Sequence, residues 1–555
     1  MEKEREENVQ SNVAITGNTS DSDISDQVLL HLSRREMNKL VKGRSDGDDL
    51  RKRRKALLKR RQSSIRTRSE QREAMELKRP LEEKTERTTA LKPKDWKKVS
   101  VKHREMFERL LEVRESDPES ITTVNDNGVC FKKEFAIGNG SYGTEVYICL
   151  GFDGIERAIK RLPKLLCEKF LKNERDILNS PNAVQSPRIV NYCFYDDTSN
   201  PDFGYLILNL YEQNLEEFIR EEGESMTESR AKKMIRQVLE GLKALHAREP
   251  RILHRDLKPT NILIDVKDNL LLSDFGIGRF FPEQGATTYY TTKESGSHGW
   301  IAYECIDWNA LFSNNMQNPS DTPLQLGWKE KSDIQVAGML SFYILTKGKH
   351  PFGPKITQQM NLHNDNPVGL GKLSDPVVKD LLFQMLAQDV DKRPYVEQAL
   401  KHPYFLSLKE QMKFVAAVGN ELELKNSFNA VPSELDNCDP SKPRGRLPDN
   451  WKEVIGPDDL KTLCEGGQKS PSDYKRRRYT HCIQLIRNTF QHRDGKLRQL
   501  KNKTRPMSSL EEYFFELFPT LPFVLHEIIR ENPDWKTLPA LKELFPVINR
   551  RPCSA

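Results

Sequence analysis

Two short runs fix the chemistry open to this chain before composition is considered. "LHRDLKPTN" occupies 253–261 and "SDFG" follows at 273–276. The first run places a carboxylate at Asp256, an ammonium at Lys258 and an amide at Asn261; the second adds a carboxylate at Asp274. Oxygen donors of this kind suit magnesium, which makes Asn261 and Asp274 the expected metal ligands. A hard cation bridging phosphates neutralises charge that would otherwise repel a nucleophile. Asp256 would then accept or orient a hydroxyl proton, and Lys258 would stabilise a transferring phosphoryl group.

The phosphate end of such a site lies upstream. "GNGSYGTEV" (138–146) sets Gly138, Gly140 and Gly143 as GxGxxG. Glycines let backbone N–H groups approach phosphate oxygens without hindrance from a Cβ. A dinucleotide site is the competing reading, but the alternating stretches on both sides read as strands, and a strand rather than a helix follows. "RAIK" ends on Lys160, which can bind the α- and β-phosphates, and Glu174 of "KNERDIL" is the carboxylate expected to hold it. Taken singly, either residue reads as a surface charge.

Further motifs complete the series. "WIAYECI" (300–306) carries Glu304, with Tyr303 where a proline is usual; Glu304 is expected to pair with Arg393 of "DKRP". Asp333 of "KSDIQVAGML" is expected to brace the catalytic loop. Over 131–405 this ordered set resembles the protein kinase family. The resemblance implies a bilobal fold that binds ATP or ADP with Mg2+. Ile137, Val146, Asn209 and Tyr211 complete the nucleotide-binding set it implies. The segment 285–297 is crowded with hydroxyls at Thr287, Thr288, Thr291, Thr292, Ser295 and Ser297. Phosphates there would pair with Arg255 and order the loop; the bland alternative is an ordinary polar loop.

Composition bounds the rest. Charged residues make up 30% of the 555, and the mean hydropathy is −0.70, which suggests sizeable disordered parts. No apolar run approaches membrane-spanning length; "QVAGMLSFYILTKG" (335–348) reads as a buried helix. "MEKEREENVQ" lacks the apolar centre of a signal peptide. The 9 cysteines are scattered without a CxxC pair, as expected of reduced thiols in the cytoplasm or nucleus. Residues 51–100 hold 19 Lys/Arg against 7 Asp/Glu, and "RKRRKALLKRR" (51–61) reads as a solvated tail or import signal ahead of an RNA arm. The expectation for 1–120 is a disordered, basic region.

The chain continues beyond "HPYF" (402–405), where kinase domains usually end. Trp451, Trp535 and "YFFELFPTLPFVLHEII" (513–529) can bury a second core. Helical stretches are expected over 410–425, 479–492 and 510–531, with a polar connection over 433–450. In the helix over 479–492, Ile483, Ile486 and Phe490 form one apolar stripe. Asn488 and His492 share another face, with Arg487 at its edge and Tyr474 thirteen residues before Arg487.

That set suits metal-free RNA cleavage, in which the ribose 2′-OH attacks its own phosphorus. His492 can act as acid, Tyr474 as its partner, and Arg487 and Asn488 can stabilise the added phosphorane charge. The surrounding excess of 11 Lys/Arg over 2 Asp/Glu in 473–505 would attract RNA. A helix with solvent-facing Arg, Asn and His is also commonplace, and from the helix alone the bland reading leads.

A kinase joined to such a helical module resembles the inositol-requiring kinase/endoribonuclease of the unfolded protein response and ribonuclease L. The Tyr474, Arg487, Asn488 and His492 spacing, "GWIA", and "GKHPFG" (348–353) carry the likeness. It implies an α+β fold, with a bilobal kinase at 131–405, an all-α kinase-extension nuclease domain at 408–540 and a tail at 541–555. It implies a dual serine/threonine kinase and endoribonuclease cutting a stem-loop RNA. Nucleotide binding and autophosphorylation would drive homodimers or higher oligomers, with protein substrates as a further class. Intact HRD and DFG motifs favour the inositol-requiring type. No lumenal sensor, transmembrane helix or ankyrin repeat is recognisable, so the expected location is cytoplasmic or nuclear, or at the endoplasmic reticulum membrane through partners. His481, where relatives carry an acidic residue, and "KRRR" (475–478), in place of a Gly-containing turn, depart from the pattern. The rival reading is a kinase whose C-terminal module only dimerises or docks; a third is a nucleotide-responsive scaffold with neither activity.

Overall fold

The computed structural model describes residues 96–140, 143–247, 250–281, 288–291, 296–312, 326–424, 430–437, 447–491, 496–503 and 506–548. Helix α1 (Arg104–Ser116) leads into seven strands. These are β1 (Thr122–Val124), β2 (Asn127–Val129), β3 (Ala136–Asn139), β4 (Glu145–Gly151), β5 (Glu156–Pro163), β6 (Tyr192–Asp196) and β7 (Phe203–Asn209), with α2 (Lys164–Leu178) after β5. The order is β1-β2-β4-β5-β7-β6, and β3 also pairs with β4. The register sets Gly138 opposite Val146 and Asn139 opposite Glu145, so the Gly-rich turn closes between β3 and β4.

Residues 96–120 correct the sequence-based boundary, because they are built into this sheet lobe. Trp96, Phe107 and Leu110 are buried with Tyr147, Ile148 and Ile159 in one apolar cluster. The Glu156 carboxylate accepts from Trp96 Nε1 at 2.8 Å, Ser100 N at 2.6 Å and Val99 N at 3.1 Å. A buried carboxylate with three N–H donors is satisfied, which fastens the segment to the sheet. The charge-rich composition of 1–120 concealed this, since a few apolar residues do the packing. Residues 1–95 lie outside the described residues.

The helical lobe is organised by α3 (Glu228–His246), whose Ile235, Val238, Leu239, Leu242 and Leu245 form a buried i, i+3, i+4 stripe. Short strands β8 (Tyr289–Thr291) and β9 (Leu326–Trp328) pair antiparallel. Helix α4 (Glu330–Leu345) is buried almost all round, as its apolar sequence requires. Helix α5 (Pro376–Leu386) packs against it.

A second core follows in an all-helical unit: α6 (Leu408–Leu424), α7 (Ala430–Asp436), α8 (Tyr479–Gln491), α9 (Leu510–Leu517) and α10 (Leu521–Arg530). Trp451, Trp535, Tyr479 and Tyr513 are fully buried there. The helical stretch expected over 510–531 is two helices, broken around Pro519 and restarted with Pro522 in the first turn of α10, where its missing N–H costs nothing. The connection expected over 433–450 begins as the end of α7. The architecture is α+β, a two-lobed unit followed by a helical one. Among the described residues, no helix is long and apolar enough to cross a membrane.

Candidate active sites

The first site lies between the two lobes. Lys160, on β5, reaches Glu174 of α2 at 2.7 Å and Asp274 at 2.9 Å. Burial opposes the Lys160 charge, but the two carboxylates outweigh it and hold the ammonium above its ordinary pKa. Burial likewise pushes Asp274 up, while Lys160 pulls harder and holds its carboxyl low. In Glu174 burial prevails over Lys160, and its pKa is raised. At neutral pH Lys160 and Asp274 are therefore an ion pair. Phe275, next to Asp274, is fully buried and packs on His254 with ring centroids 4.8 Å apart.

The catalytic loop is braced from below. Asp333 of α4 accepts from the backbone N–H groups of His254 at 2.9 Å and Arg255 at 3.1 Å. Glu304 and Arg393 form a two-pronged pair at 2.9 and 2.8 Å despite Tyr303 beside Glu304. Asp256 is the hub of the loop. Lys258 Nζ lies 3.0 Å from its Oδ2, Asn261 Nδ2 donates to the same oxygen at 2.9 Å, and the Ser297 hydroxyl donates to Oδ1 at 2.8 Å. Asn261 Nδ2 also donates to the Asp256 carbonyl, which leaves its Oδ1 as the atom for a cation. With the Asp274 carboxylate this is a hard-oxygen donor set that fits magnesium.

At the phosphate end, Gly140 N bonds Thr144 O at 2.8 Å and Gly143 has φ +75°. This tight turn needs glycine, since a Cβ at Gly140 would lie 3.1 Å from that of Thr144. Ile137 and Val146 flank the turn on β3 and β4 and are half-buried. Asn209 ends β7, and the Tyr211 hydroxyl accepts from Asn191 N at 3.3 Å.

The segment 285–297 holds what sequence reasoning missed. Ser297, one of the phosphorylation candidates, is engaged by Lys258 at 2.6 Å as well as by Asp256. Arg255, the residue expected to receive a phosphate, lies over the rings of Trp328 at 4.7 Å and Tyr289 at 5.1 Å. Those two residues are directly paired across β8 and β9. The Thr and Tyr enrichment of "TTYYTT" was the available strand signal. Thr287, Thr292 and Ser295 lie outside the described residues.

The second site is on the helical unit. Asn488 Nδ2 donates to the Tyr474 hydroxyl at 3.3 Å, so these two side chains meet. Tyr474 is 3% exposed, and burial raises its phenol pKa, against the Asn488 hydrogen bond. Arg487 departs from the expected exposed edge: it is 8% exposed and rooted in the seam between α8 and α6. Its Nη1 donates to Gln491 Oε1 at 3.2 Å. Gly419 of α6 opens that seam, since a Cβ there would stand 2.8 Å from the Arg487 Cβ. His492 lies outside the described residues.

Comparison with known proteins divides the chain in the same way. The protein kinase domain family matches residues 131–405, and the Ribonuclease 2-5A family matches residues 411–544. The human serine/threonine-protein kinase/endoribonuclease IRE2 is 27% identical over 429 residues, covering 75% of this chain and 42% of that protein. The Hypocrea jecorina serine/threonine-protein kinase/endoribonuclease IRE1 is 26% identical over 483 residues, 77% of this chain and 37% of that protein. The probable serine/threonine-protein kinase irlD of Dictyostelium discoideum is 25% identical over 476 residues, 75% of this chain and 30% of that protein. The chain thus spans less than half the length of these relatives.

Proposed function

We propose that this chain, which belongs to the protein kinases continuing into a ribonuclease 2-5A domain, transfers phosphoryl groups to serine and threonine and cuts RNA without a metal. The shared Asp256 carboxylate carries the kinase half. A substrate hydroxyl would donate to it alongside the Ser297 O–H, which takes one position on Oδ1. Its proton passes toward Asp256 as its oxygen bonds to the γ-phosphorus of ATP and the bond to the β-phosphate oxygen breaks. Lys258 stabilises charge on the transferring group, and Lys160, held by Glu174, binds the α- and β-phosphates. Ile137, Gly138, Gly140, Gly143, Val146, Asn209 and Tyr211 enclose the nucleotide. Asn261 and Asp274 would hold magnesium, which supplies charge neutralisation between the phosphates.

The Tyr474–Asn488 contact carries the nuclease half. The 2′-oxygen of a ribose bonds to the adjacent phosphorus, the bond to the 5′-oxygen breaks, and a 2′,3′-cyclic phosphate results. One of Tyr474 and His492 takes the 2′ proton and the other returns a proton to the 5′-oxygen. Asn488 and Arg487 stabilise the phosphorane. Nucleotide binding and autophosphorylation favour a homodimer or higher oligomer that brings two nuclease units to one stem-loop RNA. The proposed setting is the cytoplasm or nucleus.

The burial of Arg487 favours a second reading, in which the helical unit serves only docking or dimerisation. Single-turnover cleavage of a stem-loop RNA by the full chain, with ADP and magnesium, separates the two. Under the dual reading a 2′,3′-cyclic phosphate forms, and is lost in Tyr474→Phe and His492→Ala. Intact autophosphorylation with no cleavage would leave the docking reading.

A further inference from the structure

His481 stands on the first turns of α8, seven residues before Asn488 and on the same face. Its Nδ1 accepts the backbone N–H of Lys475 at 2.9 Å. An Nδ1 that accepts carries no proton, so the neutral ring keeps its proton on Nε2. The amide it grips belongs to the peptide bond immediately following Tyr474. The imidazole also meets the Tyr474 ring edge-on, with centroids 6.1 Å apart and planes at 81°.

Other contacts complete the enclosure of Tyr474. Trp451 meets the ring at 6.2 Å and 83°, and its Nε1 donates to the carbonyls of Lys475 at 3.2 Å and Arg478 at 3.0 Å. Lys469 Nζ lies 5.8 Å from the ring centre. Asn488 holds the hydroxyl. In this set His481 alone touches both the ring and the peptide that carries it.

We propose that His481 is a positioning residue of the RNA-cleaving site, its neutral ring fixing both the Tyr474–Lys475 peptide and the Tyr474 ring. The inference rests on the nuclease reading above. A carboxylate at 481, the residue type relatives carry there, could accept the same amide, but as a negative charge. Histidine supplies an acceptor without that charge. Burial holds the His481 pKa below its ordinary value. The Asp436 carboxylate opposes this, while Lys469, Arg478 and Lys475 reinforce it.

The test uses the full chain in two variants. His481→Phe keeps the ring and removes the acceptor; His481→Asn restores an acceptor near the place of Nδ1. Cleavage of a stem-loop RNA is followed for kcat, KM and pH profile. The Tyr474 phenol is titrated by NMR on 13C-tyrosine-labelled protein, its signal identified with Tyr474→Phe. The expected result is a kcat at least roughly tenfold lower in His481→Phe, with KM little changed, and recovery to within about threefold in His481→Asn. The Tyr474 titration midpoint should move in the first variant and return in the second. Equal impairment of both variants, or none in His481→Phe, overturns the proposal. If the unmodified chain cuts no RNA, the nuclease reading falls by itself. The Tyr474 midpoint then decides the positioning role, and a midpoint unmoved in His481→Phe ends it.

Discussion

Arg530 grips Asp380 with both terminal guanidinium nitrogens, Nη1 at 2.8 Å from Oδ2 and Nη2 at 3.2 Å from Oδ1. Asp380 lies on α5 of the two-lobed unit and Arg530 ends α10 of the helical unit, so the pair ties the two together. His402 Nε2 adds a third contact to Oδ2 at 2.9 Å. Burial would push the Asp380 carboxyl up, but hydrogen bonds from His402 and Arg530 prevail and hold it well below the usual carboxylate range.

Arg530→Ala should therefore leave a largely buried carboxylate with two partners, His402 and Gln384, in place of three. A loss of about 2 kcal/mol is expected, below the cost for a fully buried pair because Arg530 is partly exposed. Calorimetry should show a single transition in the unmodified chain resolving into two, as the helical unit uncouples. A single transition at an unchanged temperature would show that the apolar contacts alone fix the junction.

The same junction makes stability fall in mild acid. Burial depresses the pKa of His402, against its hydrogen bond to Asp380, and depresses that of His526 further. In the unfolded chain a histidine takes up its proton near pH 6.5. Below that value the unfolded state binds protons that the folded state refuses. Stability contributed by the neutral rings is thus present above pH 6.5 and lost as pH falls below it. The decline should reach about 1.4 kcal/mol per pH unit for each histidine, read from urea midpoints between pH 7.5 and 5. The Asp380 contribution is lost only below about pH 4, its unfolded value. His526 already stacks on Phe545 at 4.8 Å and meets Phe414 edge-on, so His526→Phe should fold and flatten the slope.

Much of the site between the lobes could be read in advance because its chemistry restricts residue types: an ammonium, two carboxylates and an amide in two short runs. Lys160 and Glu174 could be paired because they lie on one strand and the helix directly after it. What escaped the sequence depends on partners distant along the chain. Trp96 and Glu156 meet across a charge-rich segment whose composition argued for disorder. Tyr289 and Trp328 enclose Arg255 through a strand pair with partners 39 positions apart. Arg487 looked exposed because the helix was read alone, and only Gly419 on a distant helix makes room to bury it. Periodicity finds a face; it does not find what covers that face.

Ser297 should matter to phosphoryl transfer as a hydroxyl rather than as a phosphorylation site. It accepts from Lys258 and donates to Asp256, so it holds the two groups in register. Ser297→Ala is expected to lower autophosphorylation by roughly ten- to a hundredfold, with Ser297→Thr within about threefold of the unmodified chain. Phosphopeptide mapping of the active kinase should place phosphate elsewhere in 285–297. Phosphate found on Ser297 would contradict this role.

Gly419→Ala sets two effects against each other. In an exposed helix the change would stabilise by about 1 kcal/mol, since alanine is the better helix former. Here the new Cβ would stand 2.8 Å from the Arg487 Cβ and 3.3 Å from the Ile483 carbonyl oxygen. Neither is the free end of a flexible chain, so relief requires α6 and α8 to move apart. Overpacking of this kind costs about 1–3 kcal/mol and should win. The expected outcome is a lower unfolding temperature of the helical unit and, under the dual reading, a drop in RNA cleavage, because Arg487 and Asn488 shift together. Phosphoryl transfer should be retained. Gly371→Ala, which meets nothing within 4 Å, serves as the control and should leave both unfolding and cleavage unmoved. A stabilised Gly419→Ala chain would show that the seam has room to spare, and that Arg487 is not held there by the close approach of the two helices.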